Sequence, residues 1–168
     1  MAKPSYSLLN SLIQKIASTR PGAWFFARTL HHVDRVVLKL SRGRATLSSL
    51  LVGLPVVILT TLGAKSGRPR TLPLVCIRDE RDERRFALIA SNFGQQHYPA
   101  WYFNLKKNPE ATCSIRGHSG KYVAHEAQDD EYQRFWQYAV DTYVGYSLYK
   151  QRLAKRRIPI MVMMPVET

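Results

Sequence analysis

Apolar positions along the chain keep a helical rhythm at the front, turn to runs and alternation in the middle, and mix the two at the end. Leu8, Leu9, Leu12, Ile13 and Ile16 recur at helical spacing. Pro21 stands where a first helical turn accepts proline, and Phe26, Leu30, Val33, Val37 and Leu40 form one stripe up to the stop signal of Gly43. Arg28, His31, His32, Arg35, Lys39 and Arg42 take the opposite side, which makes this second helix basic and amphipathic. After a Leu/Ser linker at 46–51 the pattern becomes extended. Residues 55–61 (PVVILTT) are rich in β-branched side chains and read as a core strand, 70–78 as a second and 85–90 (RFALIA) as a third, with 79–84 a charged hairpin tip. Residues 99–107 predict a short helix ended by Asn108-Pro109, and 111–116 and 122–126 predict a hairpin around Gly117 and Gly120. A long final helix follows, capped by Asp129 or Asp130, with Lys150, Arg152, Lys155 and Arg156 near its end, where the macrodipole favours cations. Gly145 inside it predicts a kink or local unwinding. Residues 158–166 close the chain as an apolar strand. With no repeats and no sustained helix–strand alternation, a parallel Rossmann sheet is disfavoured, and the pattern predicts an α+β chain: a small, mostly antiparallel barrel flanked by helices.

At 168 residues and 45% apolar content the chain can bury one substantial core. It reads as one domain, with residues 1–50 a helical segment of it and 51–168 the barrel. The net charge of +13 points to an anionic partner, substrate or surface. Nucleic acid is the least favoured, because the aromatics are not interleaved with the cations and no zinc-finger or RNP-type motif occurs. The helix over 21–40, with Trp24 and Phe25, packs on the core or rests on an anionic membrane face. Cys76 and Cys113 sit far apart in strand-like surroundings, without a disulfide framework or a ligand cluster, and read as buried thiols. The first twenty residues lack a secretory pattern and no run is long enough to span a bilayer, so the expected location is the cytoplasm, at most peripheral to the inner membrane face.

Three clusters carry candidate chemistry. In TTLGAKSGRPRTLPL, at 60–74, Gly63 and Gly67 let main-chain N–H groups converge while Lys65, Ser66, Arg68 and Arg70 add charge and hydrogen bonds. This suits a phosphate or phosphodiester; a solvated hairpin turn is the plainer alternative. It is not a Walker loop, since the glycine before the lysine is missing. In SNFGQQHYPAWYFNL, at 91–105, a strand ends in a polar loop whose Ser91 and Asn92 can donate to a planar polar ligand beside Trp101 and Tyr102. His97 is a titratable candidate there, with capping or core hydrogen bonding as the plain reading, and no metal-ligand spacing is visible. Tyr143, Tyr146 and Tyr149 follow one another at a spacing of three, as core or as one wall of a pocket.

Together the three clusters resemble the deazaflavin-dependent nitroreductase family, split β-barrel (FMN-binding-like) proteins that use coenzyme F420; IPIMVMMP also resembles that family's closing strand. The resemblance implies that residues 51–168 form a cofactor-binding split barrel, and that Lys65, Ser66, Gly67, Arg68 and Arg70 hold the coenzyme's phosphodiester and oligoglutamate tail. It implies that Pro73, Leu74, Val75, Ala90, Ser91, Asn92, Ala100, Trp101 and Asn104 surround the deazaflavin ring, and that Tyr143, Tyr146 and Tyr149 line the substrate side. Tyr146, then Ser91, are the expected groups to polarise or protonate an acceptor by hydrogen bonding. The expected acceptor is a small quinone, conjugated carbonyl or nitroaromatic. Some members carry a lysine at the position of Asn92 and a tyrosine at that of Val75. Alternatives are FMN or haem in the same barrel, or a non-catalytic basic module for nucleic acid or acidic membrane.

Overall fold

The computed structural model describes residues 54–153 and 156–166, together with Thr19. The helices expected over 8–16 and 21–40, and with them the 1–50 segment and its membrane contact, lie outside the described residues. Six antiparallel strands, β1 (Val56–Leu62), β2 (Pro69–Arg78), β3 (Phe86–Ile89), β4 (Glu110–Ile115), β5 (His118–Glu126) and β6 (Ile160–Pro165), close into a barrel in the order β1-β2-β3-β6-β5-β4. Among the described residues three α-helices accompany it: α1 (Ala100–Lys107), α2 (Asp129–Thr142) and α3 (Gly145–Arg152).

The continuous apolar runs of β3 and β6 follow from burial on both faces. Phe86, Leu88, Met161 and Met163 point into the barrel with Val57, Leu59, Cys76 and Cys113. Ala87, Ile89, Ile160 and Val162 point outward into a second core with Phe135, Trp136, Ala139 and the three tyrosines of the C-terminal helices. One set of strands thus serves two cores. An ionic cluster pins the β2–β3 hairpin to α2: the Asp79 carboxylate, fully buried, lies 3.6 Å from Arg85 and 3.4 Å from Arg134, and Arg85 also reaches Glu131 at 2.9 Å.

Three local expectations are corrected. The β4–β5 hairpin turns at Arg116-Gly117, with φ of 50° and 87°, the geometry a two-residue turn needs, while Gly120 lies within β5 opposite Cys113. Gln128, in extended conformation, stands at the cap position of α2. Asp129 and Asp130 occupy its first turn, where the helix dipole still favours them. The final helix is two helices: Tyr143 is extended (φ −148°, ψ 111°), and Gly145 begins α3 instead of kinking a continuous rod.

Candidate functional site

The cradle is a tight loop between paired strand ends, Leu62 opposite Pro69. Gly63 N–H donates to the Arg68 carbonyl at 2.9 Å and Gly67 N–H to the Gly63 carbonyl at 2.8 Å; Gly67 has φ +63°, so the glycine is required. A Cβ at Gly63 would sit 2.6 Å from the Ser66 Oγ, so the bare backbone makes room for that hydroxyl. Helix α1 braces the loop from below. The Asn104 side chain, 8% exposed, accepts from Ala64 N–H at 2.9 Å and donates to Thr61 Oγ1 at 3.0 Å, and Lys107 Nζ donates to the Ala64 carbonyl at 2.6 Å. Lys65, Arg68 and Arg70 stay exposed, and among the described residues none of them pairs with a carboxylate. The loop is thus held from beneath and presents exposed cations and open main chain on top, the donor types that suit an anion.

The second cluster is a left-handed turn. Asn92, Phe93 and Gly94 have φ of 49°, 56° and 76° in succession, and two of them are not glycine. Gly94 N–H donates to the Ser91 carbonyl and Gln95 N–H to that of Asn92, each at 3.0 Å, while Asn92 Nδ2 donates to the His97 carbonyl at 3.1 Å. Backbone strain of this kind persists only where its surroundings enforce it. The Arg156 guanidinium lies against this turn, donating to the carbonyls of Ala90 (3.4 Å), Ser91 (3.1 Å) and Gln95 (3.0 Å) and lying 4.4 Å from the Tyr98 ring centre.

Tyr143, Tyr146 and Tyr149 do converge, for a reason other than helical spacing. The break at 143–144 folds the Tyr143 ring back over the start of α3, where a Cβ on Gly145 would overlap it. The three rings then meet edge to face, with centroids 5.4, 6.1 and 6.3 Å apart, and the Tyr143 and Tyr149 hydroxyls are 3.2 Å apart. All three are buried. Burial, reinforced by the neighbouring Tyr143, pushes the Tyr146 and Tyr149 hydroxyls well above the usual phenol range, so both keep their protons at neutral pH.

The turn and the tyrosines adjoin one another, since a Cβ on Gly94 would lie 3.0 Å from the Tyr149 ring. Val75, half-buried on β2, packs against the same core, and Leu74 leans towards the barrel interior. From Arg70 at the cradle to Val75 the strand runs roughly 17 Å, at about 3.3 Å per residue. Pro73 is half-exposed beside Val75, Ala90 is fully buried at the end of β3, and Ser91 is buried. Ala100 is exposed on α1, and Trp101 is buried in the barrel-side core. Asn104, expected beside the ring, has both ends of its amide committed to the cradle loop. His97 is exposed, and among the described residues no three His, Cys, Asp or Glu side chains gather as a metal site. Sequence reasoning missed two supports of this arrangement, Lys107 and Arg156, because each acts on backbone carbonyls far away in the chain and no local pattern marks such a contact.

Among the described residues no helix is long and apolar enough to cross a membrane. Comparison with known proteins bears on the same surfaces. An F420H(2)-dependent quinone reductase of Mycobacterium tuberculosis is 33% identical over 112 residues, 65% of this chain and 72% of that protein. A solved F420-H2-dependent reductase is 33% identical and superposes with a TM-score of 0.59, over 65% of this chain and 93% of that one. The haem-storage protein HutZ of Vibrio cholerae, 10% identical with a TM-score of 0.50 over 81% of this chain and 92% of its own, shares the split-barrel fold alone. The F420H(2)-dependent quinone reductase family model matches residues 33–165, a span that includes all six strands of the barrel and all three helices, and the chain belongs to that family.

Proposed function

We propose that this chain binds coenzyme F420 along β2 and passes a hydride from its reduced form to a quinone held against the C-terminal tyrosines. The observation that carries the reading is the cradle: three exposed cations without carboxylate partners among the described residues, on a loop that Asn104 and Lys107 hold from beneath. A Cβ at Gly67 would meet nothing within 4 Å, which leaves its backbone open to an approaching phosphate. The donor set fits a phosphodiester with a carboxylate-rich tail, and the half-buried stretch from Pro73 to Val75 suits the flat face of a ring.

When bound, the reduced deazaflavin supplies the hydride. The chain does the rest. Lys65, Ser66, Gly67, Arg68 and Arg70 would hold the charged tail, and Val75, Ser91 and Asn92 would border the ring. Tyr146 donates a hydrogen bond to the acceptor oxygen, with Ser91 the second donor, and the buried aromatic cluster keeps water away. Conjugated carbonyls and nitroaromatics are further acceptors of the same electronic type. The segment 1–50 is read as part of the same domain as 51–168, its basic amphipathic pattern at 21–40 packing on the core or, as the alternative that would suit a lipid-soluble quinone, meeting an anionic membrane face.

A fluorescence titration of the purified chain with F420, alongside FMN and haem, tests the cofactor. Lys65→Glu and Arg68→Glu should each weaken F420 binding about tenfold or more, the worth of a charge-assisted hydrogen bond, while Lys39→Glu leaves it unchanged. Equal losses at all three, or a preference for FMN, would overturn the reading. Sedimentation with anionic vesicles tests the membrane contact.

A further inference from the structure

We propose that Arg156 is the positioning residue of the ring end of the site: its guanidinium locks the left-handed turn at 91–95 against the tyrosine cluster. This rests on the assignment of that turn to the ring. Three features of the molecule lead here. Asn92 tolerates a left-handed conformation but Phe93, directly after it, does not favour one, and the turn's two internal bonds, from Gly94 and Gln95 N–H, do not by themselves impose it. One nitrogen of Arg156 joins the two ends of the turn, donating at 3.1 Å to the Ser91 carbonyl and at 3.0 Å to that of Gln95, while the other reaches Ala90 at the end of β3. The guanidinium plane is steadied by the Tyr98 ring.

Arg156 also stands between α3 and β6, and its own N–H donates to the Leu153 carbonyl at 2.7 Å. The group that clamps the turn is therefore tied to the helix bearing Tyr146 and Tyr149. Any shift of the turn away from the tyrosines has to break bonds at both ends of one rigid fork. A lysine offers a single ammonium, which cannot span three carbonyls and stack on a ring in the same pose. The turn carries Ser91 and Asn92, so its geometry sets where these two donors meet the ring.

The experiment uses the full chain with Arg156→Met and Arg156→Lys. Hydrogen exchange on the coenzyme-free proteins reads the Gly94 and Gln95 amides; F420 titration reads affinity and the bound chromophore's absorption; thermal unfolding reads global stability. In Arg156→Met the two amides should exchange at least about tenfold faster while β1 and β6 amides are unchanged, F420 affinity should drop about tenfold, and added methylguanidinium should restore part of both. Arg156→Lys should fall between, and it carries the test if the methionine variant does not fold. Unchanged exchange at Gly94 and Gln95 would overturn the clamp. A loosened turn with unaltered affinity and spectrum would make Arg156 a structural staple only. Failure of the unmodified chain to bind F420 would sink the ring assignment instead, and the exchange result tells these failures apart.

Discussion

Replacing Gly145 by alanine should destabilise the protein although alanine is the better helix former. Gly145 begins α3 with an ordinary backbone conformation, so the substitution on its own should gain about 0.5–1 kcal/mol. The added Cβ, however, would overlap the Tyr143 ring. That ring is 7% exposed, meets two other tyrosines edge to face, and shares a hydroxyl contact of 3.2 Å with Tyr149. Displacing it forfeits two aromatic pairs at about 0.5–1.5 kcal/mol each and a buried hydrogen bond at about 1 kcal/mol, with overpacking strain of about 1–3 kcal/mol if it stays. Less the propensity gain, the net loss is about 1–3 kcal/mol, or roughly 2–12 °C in Tm for a chain of this size. Urea unfolding and calorimetry measure it, and near-ultraviolet circular dichroism should lose tyrosine signal. A double variant with Tyr143→Ala should cost less than the sum of the two single changes, because they remove the same contact. A Gly145→Ala protein as stable as the parent would refute the argument that the tyrosine cluster depends on this bare backbone.

Asn104→Leu should cost about 2–4 kcal/mol in urea unfolding, since it strands the Ala64 N–H and the buried Thr61 hydroxyl, and it should also weaken F420 binding by loosening the cradle. Asp79→Ala leaves Arg85 and Arg134 without their shared buried carboxylate and should cost about 3 kcal/mol, towards the low end for a broken buried pair because Arg85 keeps Glu131. Burial raises the Cys76 and Cys113 thiols from 9.0 to about 11 and about 12. Burial, then the hydrogen bond to Glu126, raises Tyr102 from 10.0 to about 12. Each group holds its proton longer in the folded chain than in the unfolded one, so stability should be full below about pH 9 and fall as pH climbs towards 12. Urea midpoints against pH check this, and Cys113→Ala should flatten the decline.

Strand content was legible because burial on both faces leaves a simple mark: RFALIA and IPIMVMMP admit no solvent-facing alternation, and β3 and β6 have no solvent-facing side. The cradle was legible for the same local reason, glycines and cations within one short loop. The tyrosines were legible as a group but not in their arrangement. A spacing of three along a continuous helix brings side chains together gradually, whereas here an extended Tyr143 doubles back over Gly145, and that depends on a contact rather than a period. Asn104 shows the limit most plainly. Its place in the motif is local, but its two partners, Thr61 and Ala64, lie 43 and 40 residues earlier in the chain, so its duty as a brace emerges only in three dimensions.

Because β6 sits between β3 and β5, the ring of strands can shut only after both C-terminal helices have been made. During synthesis the emerging chain carries two open flanks, on β3 and β5, each a template for pairing with another nascent copy. A ribosome-bound fragment halted after Arg152 should therefore be chaperone-dependent and prone to aggregate, whereas emergence of β6 lets the seam zip closed and removes both flanks at once.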